Sequence, residues 1–163
     1  MFYGSSTGHT AAIAIKIRLL LGTERVDLFD VGEARPTDLL NYQTLFLGIP
    51  TWDIGEMQDD WIDFLLTFHQ HDYLNNTFAL FGLGDQESYP DTFCDAMGRL
   101  YDVLTEKNCR IIGDWPASGY DFMESTAFRN GKFVGLALDE ENQPSLSDER
   151  VRSWIRGLGQ EIT

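Results

Sequence analysis

A loop of small hydroxyl residues near the start of the chain has the composition of an anion-binding loop. Residues 4–10 read Gly-Ser-Ser-Thr-Gly-His-Thr, and the Ala-rich segment 11–21 that follows ends at Gly22. Such a loop at a helix N-terminus offers backbone N–H groups and the positive end of the helix dipole. Four hydroxyls without a lysine suit a phosphate monoester held by neutral donors. A hydroxyl-rich N-cap without a ligand is the alternative. The Walker A and dinucleotide spacings are missing, which disfavours hydrolysis of nucleoside triphosphates.

Two later loops each combine glycine with an aromatic residue. Residues 50–56 read Pro-Thr-Trp-Asp-Ile-Gly-Glu, and residues 82–89 read Gly-Leu-Gly-Asp-Gln-Glu-Ser-Tyr. Glycine permits close backbone approach, and an aromatic side chain offers a flat face for stacking. Either Trp52 or Tyr89 alone is more often a packed loop anchor. Together with the first loop, they indicate a slot for a flat ring that carries a phosphorylated tail.

The elements around these loops alternate between strands and helices. Strands are predicted at residues 1–3, 26–29, 44–49, 78–84, 110–115 and 133–138. Helices are predicted at 11–21, 61–68 and 93–104, and a last helix is predicted to be capped by Ser147. This alternation predicts an α/β fold with a parallel sheet covered on both faces. Such sheets bind ligands beyond the carboxyl ends of their strands, where all three loops lie.

Size and charge exclude several classes of protein. The 163 residues predict a single domain spanning 1–163. The 26 acidic residues against 12 basic ones give a net charge of −14, which repels nucleic acids and anionic membranes. From Pro36 to Gly98 there are 11 acids and no lysine or arginine. Solubility is the simplest explanation of this acidic stretch, and attraction of a basic partner is the other.

Other sequence features predict a cytoplasmic protein without a catalytic centre. No uncharged apolar run approaches 18 residues, and the N-terminus lacks the pattern of a secretory signal. Two cysteines do not make a disulfide framework. His9, His69 and His71 have no nucleophile at a triad-like position, so we expect neither catalytic residues nor a metal site.

Four segments carry a family resemblance. The stretches SSTGHT, PTWDIGEMQDDW, GLGDQESYPDTFCDA and FVGLALDEENQ closely resemble those of long-chain bacterial flavodoxins, in order, from Met1 to Ile162. The resemblance implies a flavodoxin-like three-layer α/β/α sandwich. Its five-stranded parallel sheet has the order 2-1-3-4-5, which is the order of flavodoxin itself. The last strand is expected to be split by a long-chain insertion at residues 118–131.

The same resemblance implies non-covalently bound FMN. It stacks the flavin between Trp52 and Tyr89, and it puts Gly84 and Asp85 at the pyrimidine edge. It places the carbonyl of Asp53 near flavin N5. The phosphate is assigned to Ser5, Ser6, Thr7, Gly8, His9 and Thr10, and the rest of the site to Pro50, Thr51, Ile54, Gly55 and Cys94. Cys94 is either a pyrimidine-side contact or a buried helix thiol.

Three departures from the family pattern stand out. His9 lies where many relatives have lysine, so the phosphate is less compensated. Asp53 is often asparagine or an aromatic residue, so an extra negative charge lies close to the ring. Met1 comes several residues later than the family's first strand normally begins, so an upstream start or lost residues are both open.

The resemblance implies a low-potential one-electron carrier rather than an enzyme. We expect a monomer that serves basic-faced redox proteins, such as a ferredoxin/flavodoxin-NADP reductase and an acceptor oxidoreductase. The alternative is an FMN-dependent NAD(P)H:quinone reductase of related fold, which would need a more open slot. A receiver-type signalling domain is rejected, because Gly4-Ser5 and Pro50-Thr51 occupy the places of its required acids.

Overall fold

The computed structural model describes residues 1–161 and contains a parallel sheet between two pairs of helices. The helices are α1 (His9–Leu21), α2 (Asp59–Leu66), α3 (Asp95–Glu106) and α4 (Pro144–Glu161). The strands are β1 (Phe2–Tyr3), β2 (Phe29–Asp30), β3 (Thr44–Trp52), β4 (Glu56–Met57), β5 (Thr77–Leu83), β6 (Arg110–Ile112), β7 (Trp115–Pro116), β8 (Phe128–Arg129), β9 (Lys132–Phe133) and β10 (Leu136–Leu138).

Alternating side chains of the central strands build two separate cores. Leu45 and Leu47 of β3 point to the face covered by α2 and α3, while Phe46 points to the face covered by α1 and α4. This follows from the two-residue period of a strand, which sends successive side chains to opposite faces. Because both faces are covered, residues 45–49 of β3 and 78–83 of β5 are buried, as their continuous apolar runs indicate.

The sheet order is β2-β1-β3-β5-β10, and β6 also pairs with β5. β6 lies beside the first half of β5 (Thr77–Ala79), and β10 lies beside its second half (Phe81–Leu83). Two short strands therefore share the fifth position of the order 2-1-3-4-5. The flavodoxin-like fold with a split last strand is confirmed.

The inserted segment is wider than residues 118–131. It spans residues 113–135, and it contains β7, β8 and β9 as a small antiparallel sheet. Gly113 leaves the main sheet with a φ of 82°, a conformation that favours glycine. On the return, Gly135 lies so close to β5 that a Cβ would come within 2.4 Å of the Leu80 carbonyl oxygen.

Several element boundaries differ from the prediction. The strand expected at 26–29 is reduced to Phe29–Asp30. β3 continues to Trp52, because β4 folds back and pairs with its end. α4 begins at Pro144, so Ser147 lies inside the helix, where its hydroxyl hydrogen-bonds the Glu140 carboxylate instead of capping the helix.

No helix within residues 1–161 combines the length and the apolar character needed to cross a membrane.

Gly135 is packed against β5 and Gly157 is exposed on α4, so replacement by alanine should change stability in opposite directions at these two positions. Gly135→Ala forces a methyl group into the Leu80 backbone and should lower the free energy of unfolding by about 1–3 kcal/mol. Gly157→Ala adds a methyl group to the exposed face of α4, where nothing lies within 4 Å, and should raise it by about 0.5–1 kcal/mol. Urea denaturation of the two variants measures both changes. Effects of equal sign would contradict the close approach of Gly135 to β5.

Candidate functional site

The first loop, residues 4–8, turns the chain from β1 into α1. Gly8 is the N-cap of α1 with a φ of 92°, a conformation that non-glycine residues rarely adopt. The Ser5 hydroxyl accepts hydrogen bonds from the N–H groups of Gly8 at 3.1 Å and Ala11 at 3.2 Å. The loop is thereby folded over the start of α1, where the first N–H groups have no intrahelical partner and can receive an anion.

The second of the three predicted loops forms a hairpin at residues 51–57. Its strands pair Thr51 with Met57 and Trp52 with Glu56. The connection uses two positive φ angles, 40° at Asp53 and 80° at Gly55. Asp tolerates the left-handed region better than most residues, and glycine adopts it freely. The hairpin brings Trp52 and Asp53 to the carboxyl edge of the sheet and leaves Ile54 at its tip, 76% exposed.

The loop after β5 depends on a close approach of backbone segments at Gly84. A Cβ there would lie 2.8 Å from the Cys94 nitrogen, and the Gly84 N–H donates to the Leu138 carbonyl at 3.0 Å. The next residue, Asp85, accepts hydrogen bonds from the N–H groups of Glu87 and Ser88. This loop carries Tyr89, which is 43% exposed.

Together these loops enclose a cleft of about 280 Å³ at the carboxyl edge of the sheet. This volume is near the lower end of the range for small-molecule sites. The predicted site residues that line it are Thr7, His9, Thr10, Pro50, Thr51, Trp52, Asp53, Gly84, Asp85 and Tyr89.

The remaining predicted site residues do not line this cleft. Ser5, Ser6, Gly8, Ile54 and Gly55 belong to the loops that form it, and Ser5, Gly8 and Gly55 determine the shape of those loops.

Cys94 lies in the core rather than at the cleft. It is fully buried, and its thiol lies 3.7 Å from the Gly82 carbonyl oxygen, within hydrogen-bond distance for sulfur. Burial raises the pKa of the Cys94 thiol well above its ordinary value, so the thiol stays protonated. Of the two roles open for Cys94, the structure favours the buried helix thiol, because a fully buried side chain does not reach a ligand in the cleft.

Sequence reasoning missed a further group of residues at the cleft. Glu140 and Glu141, in the segment after β10, contribute to its lining together with Leu83 and Thr92. The rule that ligands bind beyond the strand ends predicts a role for residues 139–143, since they follow the last strand.

Behind these residues, Asp139 is a fully buried carboxylate with several donors. One oxygen accepts the N–H of Gln86 and its side-chain amide, at 3.1 and 2.8 Å. The other accepts the N–H groups of Glu141 and Asn142, at 3.1 and 2.9 Å. The Asn142 amide contacts both oxygens, and it also donates to Asp85 at 2.8 Å. Asp139 thereby joins the loops after β5 and β10.

The electrostatic character of the cleft is strongly negative. Its lining includes the carboxylates of Asp53, Asp85, Glu140 and Glu141. His9 is the lining residue that can carry a positive charge, and its Nδ1 lies 3.5 Å from a carboxylate oxygen of Glu141. An anion bound at the first loop therefore relies on backbone N–H groups and hydroxyls.

Hydrogen-bond donors around Asp85 lower the pKa of its carboxyl group. Burial alone raises the pKa of Asp85, but hydrogen bonds from Ser88, Asn142 and Glu87 outweigh burial and hold the pKa below its ordinary value. The ionised carboxylate therefore stabilises this loop at neutral pH.

Within residues 1–161, no three histidine, cysteine or acidic side chains come together in a way that could hold a metal ion.

Comparison with known proteins gives one consistent family. The family model described as Flavodoxin matches residues 1–154. A flavodoxin of a Nostoc species is 46% identical over 99% of this chain and 95% of its own length. Flavodoxin 1 of Escherichia coli is 43% identical over 99% of this chain and 93% of its own length. A crystal structure of Fusobacterium nucleatum flavodoxin bound to flavin mononucleotide has a TM-score of 0.92 and 33% identity, with 98% and 95% of the two chains covered.

The lowered pKa of Asp85 gives a prediction for acid stability. Because the folded pKa lies below the unfolded value of about 3.9, the ionised group stabilises the fold above that pH. This contribution disappears as the pH falls through the folded pKa. Asp85→Asn should therefore lose less free energy of unfolding than the wild type between about pH 5 and pH 2. Glu87→Gln, an exposed neighbour, is the control for charge removal alone. Parallel pH profiles of wild type and Asp85→Asn would contradict the hydrogen-bonded carboxylate.

Proposed function

Because the chain belongs to the flavodoxin family, we propose that it binds FMN non-covalently and carries single electrons at low potential between redox proteins. The observation that carries the proposal is one cleft that is lined by Trp52 and Tyr89 and also by Thr7, His9 and Thr10 at the start of α1. FMN, when bound, supplies the one-electron chemistry. The residues of the chain bind it, orient it and set its potential.

The aromatic walls of the cleft fit a flavin ring. Trp52 and Tyr89 both line the cleft; Trp52 is the last residue of β3, and Tyr89 lies in the loop after the neighbouring strand β5. Two aromatic side chains in one cleft lining support stacking of the ring on them.

Another part of the cleft lining fits a phosphate. Thr7, His9 and Thr10 line it at the N-terminus of α1. Hydroxyl and N–H donors with the helix dipole bind a phosphate without a lysine. A Glu141 carboxylate oxygen lies 3.5 Å from His9 Nδ1 and adds negative charge beside the imidazole. The phosphate therefore depends more on neutral donors than in relatives that have lysine here.

The carboxylates around the cleft support a low potential. An electron added to bound FMN makes it more negative, and each nearby negative charge opposes that step. One charge at about 10 Å in a water-like dielectric costs roughly 0.4 kcal/mol, or about 18 mV for one electron. Asp53, Asp85, Glu140 and Glu141 line the cleft itself, so their contributions add in the same direction.

An FMN-dependent NAD(P)H:quinone reductase is not favoured as the alternative. The matching family and the curated relatives at 43–46% identity are named flavodoxin. Oxidation of NADPH by the FMN-loaded protein with a quinone and no added reductase would overturn the carrier assignment.

Comparison of FMN with riboflavin tests the cofactor assignment. The wild type should bind about one FMN per chain. Thr7→Val with Thr10→Val should weaken FMN at least about tenfold, because hydrogen bonds to a charged phosphate contribute about 1.5–3 kcal/mol. Riboflavin lacks the phosphate, so its affinity should change less than about threefold. Thr23→Val, just beyond the other end of α1, is the control. Equal losses for both flavins would contradict phosphate binding at the first loop.

We further propose that the partners are basic-faced redox proteins, such as a ferredoxin/flavodoxin-NADP reductase and an acceptor oxidoreductase, and that the carrier acts as a cytoplasmic monomer. Support comes from the outer face of α2, where Asp59 and Asp63 alternate with Ile62 and Leu66, all exposed. Glu56 and Asp59 connect this face to Trp52 and Asp53 through a shared surface depression. Mixed acidic and apolar surface next to the cleft suits a partner with lysines and apolar contacts.

Salt dependence tests the basic partner. Asp59→Asn with Asp63→Asn should slow reduction by a basic NADP reductase at low salt and flatten its dependence on ionic strength, because two steering charges are removed. Glu24→Gln with Glu106→Gln removes the same charge near the opposite ends of α1 and α3, and it should have a smaller effect. Equal effects of the two double variants would assign the acidic surface to solubility alone.

A further inference from the structure

The N-terminal turn of α3 is held by the inserted segment. The N–H of Thr126 donates to Asp95 Oδ1 at 2.7 Å, and the Thr126 hydroxyl donates to the Asp95 carbonyl at 3.2 Å. The neighbouring Ser125 hydroxyl donates to the Phe93 carbonyl at 2.5 Å. Asp95 is 7% exposed, so these contacts fix a nearly buried carboxylate.

The same turn of α3 contacts the hairpin of residues 51–57 at two places, its start and its turn. The N–H of Ala96 donates to the Thr51 hydroxyl at 3.3 Å, at the start of the hairpin. At its turn, a Cβ on Gly55 would lie 2.9 Å from Asp95 Oδ2 and 3.2 Å from the Thr92 side chain. Gly55 therefore packs directly on the oxygen of Asp95 that Thr126 does not use.

We propose that Asp95 is a positioning residue that keeps the hairpin, and with it Trp52, at the wall of the cleft. The hydrogen bond from Thr126 fixes the rotamer of Asp95, so that Oδ2 remains against Gly55. The inserted segment thereby acts on the cleft without lining it. The link to FMN rests on the proposed function, whereas the link between Asp95 and the hairpin does not.

The expected consequence follows from population arithmetic. A hairpin with positive φ at Asp53 and Gly55 opens more readily when its packing partner is lost. A ligand that binds only the closed hairpin then loses affinity in proportion to the closed fraction. Asp95 thus affects binding through the order of the hairpin in the ligand-free protein.

The chain offers a matched control on the same helix. Asp102, seven residues after Asp95, also contacts the inserted segment, through an ion pair with Arg129 at 2.8 Å. Replacement of Asp102 therefore loosens the same inserted segment. Asp102 itself lies two helical turns away from the residues of α3 that contact the hairpin. Comparison of Asp95→Ala with Asp102→Ala separates positioning of the hairpin from loosening of the segment.

Amide hydrogen exchange of the FMN-free full-length chain is the primary measurement, and titration with FMN is the second. Asp95→Ala should speed exchange at residues 53–57 about tenfold. It should raise the Kd for FMN by a smaller factor, because exchange follows the open fraction of the hairpin whereas the Kd follows the inverse of its closed fraction. Asp102→Ala should change both less than about twofold. Asp95→Asn retains an acceptor for the Thr126 N–H and should restore most of the protection.

The outcomes distinguish the two levels of the proposal. Faster exchange at residues 53–57 in Asp95→Ala alone supports the positioning role, even if the wild type fails to bind FMN and the proposed function is wrong. Equal exchange in Asp95→Ala and Asp102→Ala would overturn it. If Asp95→Ala does not fold, Thr126→Pro removes the N–H that donates to Asp95 Oδ1. It should speed exchange at the same amides about twofold, and unchanged exchange would then overturn the role.

Discussion

A buried carboxylate, Asp139, connects the segments that form one side of the cleft. Burial of a carboxylate costs several kcal/mol of desolvation free energy unless hydrogen bonds replace its water molecules. Removal of one hydrogen-bond donor leaves part of that free energy uncompensated. Donors from Gln86 and from residues 141–142 satisfy both oxygens. Gln86 in turn accepts the N–H of Asp121 in the inserted segment at 2.7 Å. The loops after β5 and β10 and the inserted segment therefore hold one another in place.

The parallel sheet explains why these loops meet at all. Strands β1, β3, β5 and β10 run in the same direction, so the segments that follow them emerge at one edge. The split fifth position adds a consequence of its own. Because β10 pairs only with the second half of β5, its end comes level with Leu83 and carries Asp139 next to Gln86. Negative charge concentrates at that edge, where it opposes a further electron on a bound cofactor and attracts basic surfaces.

Local patterns predict the alternation of strands and helices and the three loops of the cleft, whereas the strand order and the split last strand are predicted by the family resemblance. The apolar runs at 44–49 and 78–84 specify buried strands, and the small residues of the first loop specify the turn into α1. The misses have three different causes. Ser147 resembles an N-cap, but Pro144 starts α4 one turn earlier. The hairpin after β3 has no alternation signal, because β4 is two residues long. Gln86, one of the donors to Asp139, lies more than 50 residues before it in the sequence, and no local pattern predicts a contact over that separation.

The central claim is that the cleft holds FMN between Trp52 and Tyr89 with its phosphate at the start of α1. A crystal structure of the chain with FMN tests this claim most directly. The account predicts the isoalloxazine ring between the two aromatic side chains, and phosphate oxygens within hydrogen-bond distance of Thr7, Thr10 and the backbone N–H groups of residues 6–10. A flavin bound elsewhere, or one whose phosphate points away from this loop, would contradict it.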